Sequence, residues 1–111
     1  GRLSMNLKNL IMGVINEKDL LNYFNANLEF EIMPKHINGF VFSYDTNYFI
    51  KLNYSLGNLK KKETLLHELA HIELNQLGQT DKDLFAFNVE KYEDEADKYI
   101  KKILKECGDE F

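Results

Sequence analysis

The sequence predicts a small α+β domain: an N-terminal helix or two, a small three-stranded antiparallel sheet, then two longer helices. Three observations carry this. Apolar residues recur every three or four positions from 5 to 24, from 60 to 77 and from 89 to 107, the period of a helix with one buried face. Between the first two stretches the pattern changes to period two, in short runs of aromatic and β-branched residues. Turn-forming residues separate those runs, and the chain has no internal repeat or low-complexity tract.

Gly1-Arg2-Leu3-Ser4 precedes the first methionine, Met5, and is read as a leftover of expression; residues 5–111 are read as a single domain. Leu7, Leu10, Ile11, Val14, Leu21 and Phe24 form the first apolar stripe. Asn16-Glu17-Lys18-Asp19 interrupts it, and Asn16 has the chemistry to cap a second short helix. Leu28-Glu29-Phe30-Glu31-Ile32 alternates apolar and acidic, as a strand with one wet face does, and Pro34 ends it. Gly39–Ser43 and Tyr48–Leu52 flank Tyr44-Asp45-Thr46-Asn47, which reads as an antiparallel hairpin. The helix from Lys60 to Leu77 is closed by Gly78, and the run Lys60-Lys61-Lys62 at its start works against the helix dipole. A linker from Gln79 to about Asn88 holds the apolar cluster Leu84-Phe85-Ala86-Phe87, and the last helix runs from Val89 to about Cys107.

Composition narrows the function before any motif is weighed. The 111 residues are 44% hydrophobic and 29% charged, with eight Phe and six Tyr to fill a core, which excludes collagen-like and disordered classes. A net charge of −4 has the wrong sign for binding nucleic acid by bulk electrostatics. No apolar run nears the roughly 18–20 residues that span a bilayer. The single cysteine, Cys107, permits no internal disulfide and no four-thiolate zinc site, and is read as a small interior-facing residue. With no signal-peptide pattern at the N-terminus, the expected location is the reducing cytoplasm.

The centre of the long middle helix reads His67-Glu68-Leu69-Ala70-His71, an H-E-x-x-H. Histidines at i and i+4 lie one above the other on one helix face, where both imidazoles reach one metal ion. Glu68 sits about 100° round the helix, placed to take the proton of a water on that metal as it attacks a carbonyl. That is the metallopeptidase reading of the motif. The plainer reading is a pair of partly buried histidines hydrogen-bonded to neighbours. Shuffling a chain of this composition gives the pattern roughly once per hundred trials. Two of the three histidines stand in it, so the metal reading is preferred.

Two imidazoles make half a zinc site. The long metzincin form needs Gly at position 74 and His at 77; both are leucine, Leu74 and Leu77, which excludes it. His36, in the loop before the hairpin, is one candidate for a further ligand, and the carboxylates of the last helix are the others. There Val89, Tyr92, Ala96, Ile100, Ile103, Leu104 and Cys107 define the apolar stripe. Glu93 falls roughly 60° from its centre and Glu95 roughly 100° away on the other flank, so Glu93 is preferred to Glu95 as third ligand. Asp97, one turn on from Glu93, is placed to accept an imidazole N–H, as carboxylates behind metal-bound histidines do. Asp94 with Lys98 and Asp97 with Lys101 also make i, i+4 pairs with the acid first, the pattern of a solvated face, and for Asp94 that reading is adopted. Ala96 is small enough to let the two helices approach closely. For a group facing the developing oxyanion, Tyr44, Tyr48, Tyr92 and His36 are the polar candidates.

H-E-L-A-H followed by E-x-E-A-[N/D]-x-[F/Y]-x-x-x-[I/L]-L, here Glu93 to Leu104, resembles the ImmA/IrrE group of zinc metallopeptidases. The resemblance implies a zincin-like core in a minimal, single-domain member. It implies Zn2+ held by His67, His71 and Glu93, with Glu68 as general base and Asp97 orienting a ligand histidine. The activity implied is that of an endopeptidase on a protein substrate, a helix-turn-helix transcriptional repressor, in a phage, mobile-element or stress-response setting. Neither nucleic acid nor membrane has a direct part in it. Where relatives often continue with Met-Pro, Lys105-Glu106-Cys107 follows here, so substrate choice is expected to come from loops, the hairpin edge or another protein. The rival reading belongs to another class: a zinc-bearing, non-catalytic binding module, an antirepressor or inhibitor of a host factor, that acts by occupying its partner.

Overall fold

The computed structural model describes residues 4–75 and 89–108, with 89–93 and 108 described as backbone only. The N-terminal stripe folds as two helices, α1 (Leu7–Ile11) and α2 (Glu17–Phe24). Gly13 turns the chain between them at φ 79°. Asn16 then caps α2: its side chain accepts from the Asp19 N–H while the Asp19 carboxylate accepts from the Asn16 N–H. Asn25, left-handed at φ 57°, ends α2 and leads directly into β1 (Ala26–Glu31).

β2 (Gly39–Tyr44) and β3 (Asn47–Asn53) form the expected antiparallel hairpin. Its turn residues, Asp45 and Thr46, both have positive φ, 52° and 66°, the mirror-image turn whose twist matches that of paired strands. β1 corrects the expectation of an all-antiparallel sheet. The sheet is mixed, in the order β1-β3-β2, with β1 parallel to β3 and Glu29 opposite Lys51. Alternation tells which face a residue takes, not which strand lies beside it. Charge pairing decides the neighbour. Lys51 is the one base in the three strands, and its ammonium bonds to Glu29 and Glu31 of β1. The Glu29 bond, first among these contacts, holds Lys51 above its ordinary pKa. The connection between the parallel strands is long enough because β2 itself lies within it.

α3 (Asn58–Glu73) lies on β2 and β3, and α4 (Val89–Gly108) packs against α3 and α1. Leu7, Leu20, Ile50, Leu52 and Leu69 are wholly buried between these layers, joined by Ala96 and Ile103 of α4. Cys107 is half-buried against the same core. α3 begins before Lys60 and stops short of Leu77. Asn75, left-handed at φ 55°, turns the chain out of the helix, a conformation Asn tolerates. Gly78 and the cluster Leu84–Phe87 lie outside the described residues. At the basic start of α3, the Lys61 ammonium stands 5.2 Å from the ring centre of Phe30 and 5.1 Å from that of Tyr54. These cation–π contacts offset its unfavourable place at a helix N-terminus. Among the described residues no helix is long and apolar enough to cross a membrane.

Two contacts fix the layers relative to one another. Glu73, the last residue of α3, accepts the Leu7 N–H at the start of α1 at 2.7 Å and the Tyr99 hydroxyl of α4. Burial, and then that hydrogen bond, raise the Tyr99 phenol above its ordinary pKa of 10.0. At the sheet edge, a Cβ on Gly39 would stand 2.6 Å from the Lys51 carbonyl oxygen, 2.8 Å from Leu52 Cδ2 and 3.2 Å from Thr64 Cγ2. Only glycine lets β2 start so close to β3 and α3.

Gly39→Ala is therefore expected to lower stability by about 1–3 kcal/mol, read from the midpoint of urea unfolding. Tyr99 acts in the alkaline range. A phenol whose pKa is higher folded than unfolded contributes stability that is complete below about pH 10 and is lost as pH rises through the folded value. The stability difference between the wild type and Tyr99→Phe is expected to shrink above about pH 10 in a pH series of denaturation curves.

Candidate metal centre

His67 and His71 lie one turn apart on α3, their rings near perpendicular at 86° and their centroids 4.7 Å apart. Their Nε2 atoms are 3.1 Å from each other. Two nitrogens on one tetrahedral zinc, each at ~2.0–2.1 Å, are about 3.3 Å apart, so the separation suits two imidazoles sharing an ion. On the far side of the His67 ring, Nδ1 is 3.0 Å from Asp97 Oδ1. An ionised carboxylate only accepts, so Nδ1 carries the proton and Nε2 presents a lone pair towards His71. That is the tautomer a metal ligand needs.

Glu68 completes the group. Ligand atoms from His67, Glu68 and His71 all lie within 4.8 Å of one another. Glu68 is 4% exposed and His71 6%, and a carboxylate so far from water is stable only beside a cation or strong donors. The arrangement can therefore bind a divalent ion through imidazole nitrogen and present a carboxylate next to it.

The structure brings Asp97 of α4 to this group across the α3–α4 contact. Its spacing also suits Lys101, but the carboxylate goes to His67, whereas Asp94 makes the local pair with Lys98 at 3.8 Å. Glu93 stands one turn before Asp97 on α4, and its side chain lies outside the described residues, as does that of Tyr92. Glu95 is exposed. Tyr44 is 73% exposed beside the hairpin turn, and Tyr48 packs against the core.

A cleft of about 670 Å³ opens on the metal group. α3 contributes Thr64, His67 and Glu68 to its lining, and α4 contributes Asp97, Ile100 and Leu104. The opposite side is the loop His36–Asn38 with Gly39, the first residue of β2. Of the oxyanion candidates with described side chains, His36 alone lines this cleft.

Asn53 holds that loop, and sequence reasoning missed it. Only 1% exposed, its side-chain amide donates to the carbonyls of Met33 (3.2 Å), Pro34 (3.1 Å) and Ile37 (2.8 Å). Its backbone N–H bonds to the Asn38 carbonyl at 2.8 Å, and its Oδ1 accepts from the Ser55 N–H and hydroxyl. The one available signal was a polar residue ending an otherwise apolar core strand, and its partners are main-chain carbonyls that no side-chain pattern reveals.

Two imidazoles and a buried carboxylate of one H-E-x-x-H helix, beside a cleft and a sheet edge, make a helix-borne group that could hold a metal ion. The model of the IrrE N-terminal-like domain, Peptidase_M78, matches residues 22–99, and the chain belongs to that family. The matched span takes in the sheet, α3 and α4 as far as Tyr99, hence every residue of the group described above. The chain is also similar to "Uncharacterized immunity region protein 2" of Bacillus phage phi105, 32% identical over 92 residues, 80% of this chain and 58% of that protein. It thus spans somewhat over half the length of that relative. No solved structure matches the chain.

Removing the carboxylate behind His67 leaves its tautomer unfixed. Asp97→Ala is expected to weaken binding of an added divalent ion about 10–100-fold in a chelator competition, with an unchanged circular dichroism spectrum.

Proposed function

We propose that the protein is a zinc-dependent endopeptidase that cleaves a protein substrate, a helix-turn-helix transcriptional repressor, in the cytoplasm. The observation that carries the reading is the pair of Nε2 atoms of His67 and His71, 3.1 Å apart near the buried Glu68, with the His67 ring held through its Nδ1 by Asp97. Imidazole and carboxylate without thiolate suit zinc. His67 and His71 would hold it together with Glu93, the residue that the family motif places one turn before Asp97. Zinc, when bound, supplies a Lewis acid that makes water acidic near neutral pH and polarises a carbonyl.

The chain's own residues do the rest. Glu68 takes the proton of the attacking water and returns it to the leaving amine nitrogen. Asp97 keeps the His67 proton on Nδ1 throughout. His36 reaches the cleft from the loop held by Asn53 and is the best-placed group to face the oxyanion. Among the described residues β3 is the central strand and β2 an edge, and the start of β2 at Gly39 lines the cleft. An extended peptide added to that edge would run past the metal group with its main chain hydrogen-bonded.

The motif resemblance supports the repressor as substrate, and the phage relative's description as an immunity region protein is in keeping with it. Neither nucleic acid nor membrane is bound in this reading. Glu68→Gln is expected to keep its zinc and lose cleavage by about 10²–10⁴-fold. The assay is co-incubation with candidate helix-turn-helix repressors, read by gel and mass spectrometry. Full activity in Glu68→Gln sinks the mechanism. Relief of repression by Glu68→Gln, with the repressor intact, assigns the protein instead to a binding module that occupies its partner.

A further inference from the structure

We propose that Lys101 sets the cleft's specificity by taking an acidic side chain of the substrate peptide; the inference rests on the peptidase reading and adds the substrate's chemistry to it. The ionic groups lining the cleft are otherwise engaged. Lys60 lies 3.6 Å from Glu63, Asp97 is bonded to His67, and Glu68 belongs to the metal group. Local spacing assigns Lys101 to Asp97, four residues earlier. The structure gives Asp97 to the imidazole, and among the described residues Lys101 makes no ion pair or hydrogen bond.

An ammonium on the cleft with no carboxylate of its own repels a basic side chain and attracts an acidic one, so it discriminates in both directions. Ile100 and Leu104, the latter 47% exposed, line the cleft beside it and offer apolar surface to the stem of that side chain. Lysine's compact charge on a flexible stem suits a carboxylate without demanding one bidentate geometry.

The test uses the zinc-loaded full chain carrying Glu68→Gln. Short fluorescein-labelled peptides of one neutral sequence, with Glu, Gln or Lys stepped through each position, are titrated by fluorescence anisotropy. At one position Glu is expected to bind about three- to five-fold more tightly than Gln, the range of an exposed ion pair. Lys101→Gln removes that preference, and Lys101→Glu transfers it to the Lys peptide. The proposal is overturned if no position favours Glu over Gln, or if the preference survives both substitutions. The same peptides given to the wild-type chain separate the two readings. Binding preference without cleavage removes the peptidase and leaves Lys101 in its role. Cleavage whose acidic preference ignores Lys101→Glu does the reverse.

Discussion

The site depends on how closely α4 lies against α3. Ala70 on one helix and Ala96 on the other are wholly buried in the common core, with Ile103 beside them, and small residues of this kind allow helix axes to approach at the short end of the usual ~8–10 Å range. Across this contact Asp97, the residue after Ala96, reaches His67 Nδ1. A packing condition is thereby turned into a chemical one: with the proton held on Nδ1, Nε2 is available to a metal. Glu73 and Tyr99 fasten the same two helices together on their other contact, and Glu73 ties α1 to them.

The opposite side of the cleft follows from the sheet. Lys51 draws β1 to β3 through Glu29 and Glu31, which makes β3 central and leaves β2 at an edge. Gly39 then brings the beginning of that edge within contact of Thr64, a turn before Glu68 on α3. Asn53, at the end of the central strand, anchors the loop that carries His36 to the same place. Charge pairing on one face of the sheet and a buried amide at its end thus position a surface for substrate beside a site built entirely on helices.

Much of this was legible from residue spacing. The two histidines and Glu68 could be read because a helix repeats every 3.6 residues and the motif lies within one rigid element. Asp97 could be read because its angle from the apolar stripe of α4 is also a property of a single helix. The Asn16 capping box and the Asp45-Thr46 turn are local in the same sense. What escaped were relations between distant segments. Parallel pairing of β1, with Glu29 across from Lys51, joins residues 22 positions apart. Asn53 bonds to carbonyls 16 to 20 positions away, and backbone acceptors carry no sequence signature. The end of α3 at Glu73 was missed because Gly78 looked the stronger stop, yet Asn75 adopts the left-handed conformation first.

Asp97 shows why the local rule failed where it mattered. In an isolated helix an acid four residues before a lysine contributes a pair of about 0.3–0.5 kcal/mol, and Asp97–Lys101 qualifies. Folding offers Asp97 a second partner, the N–H of a half-buried imidazole. The imidazole end of that contact is the better shielded, 16% exposed against 57% for Asp97, so water competes with it less than with a fully solvated ammonium. The imidazole is the partner taken, and it is within reach because α4 packs on α3. One choice of partner by one carboxylate therefore has two results: it fixes the His67 tautomer that a metal would need, and it leaves the Lys101 ammonium to the cleft. The groups that would perform chemistry and the group that would select a substrate are set by the same contact, and the local pair that spacing alone favours would have supplied neither.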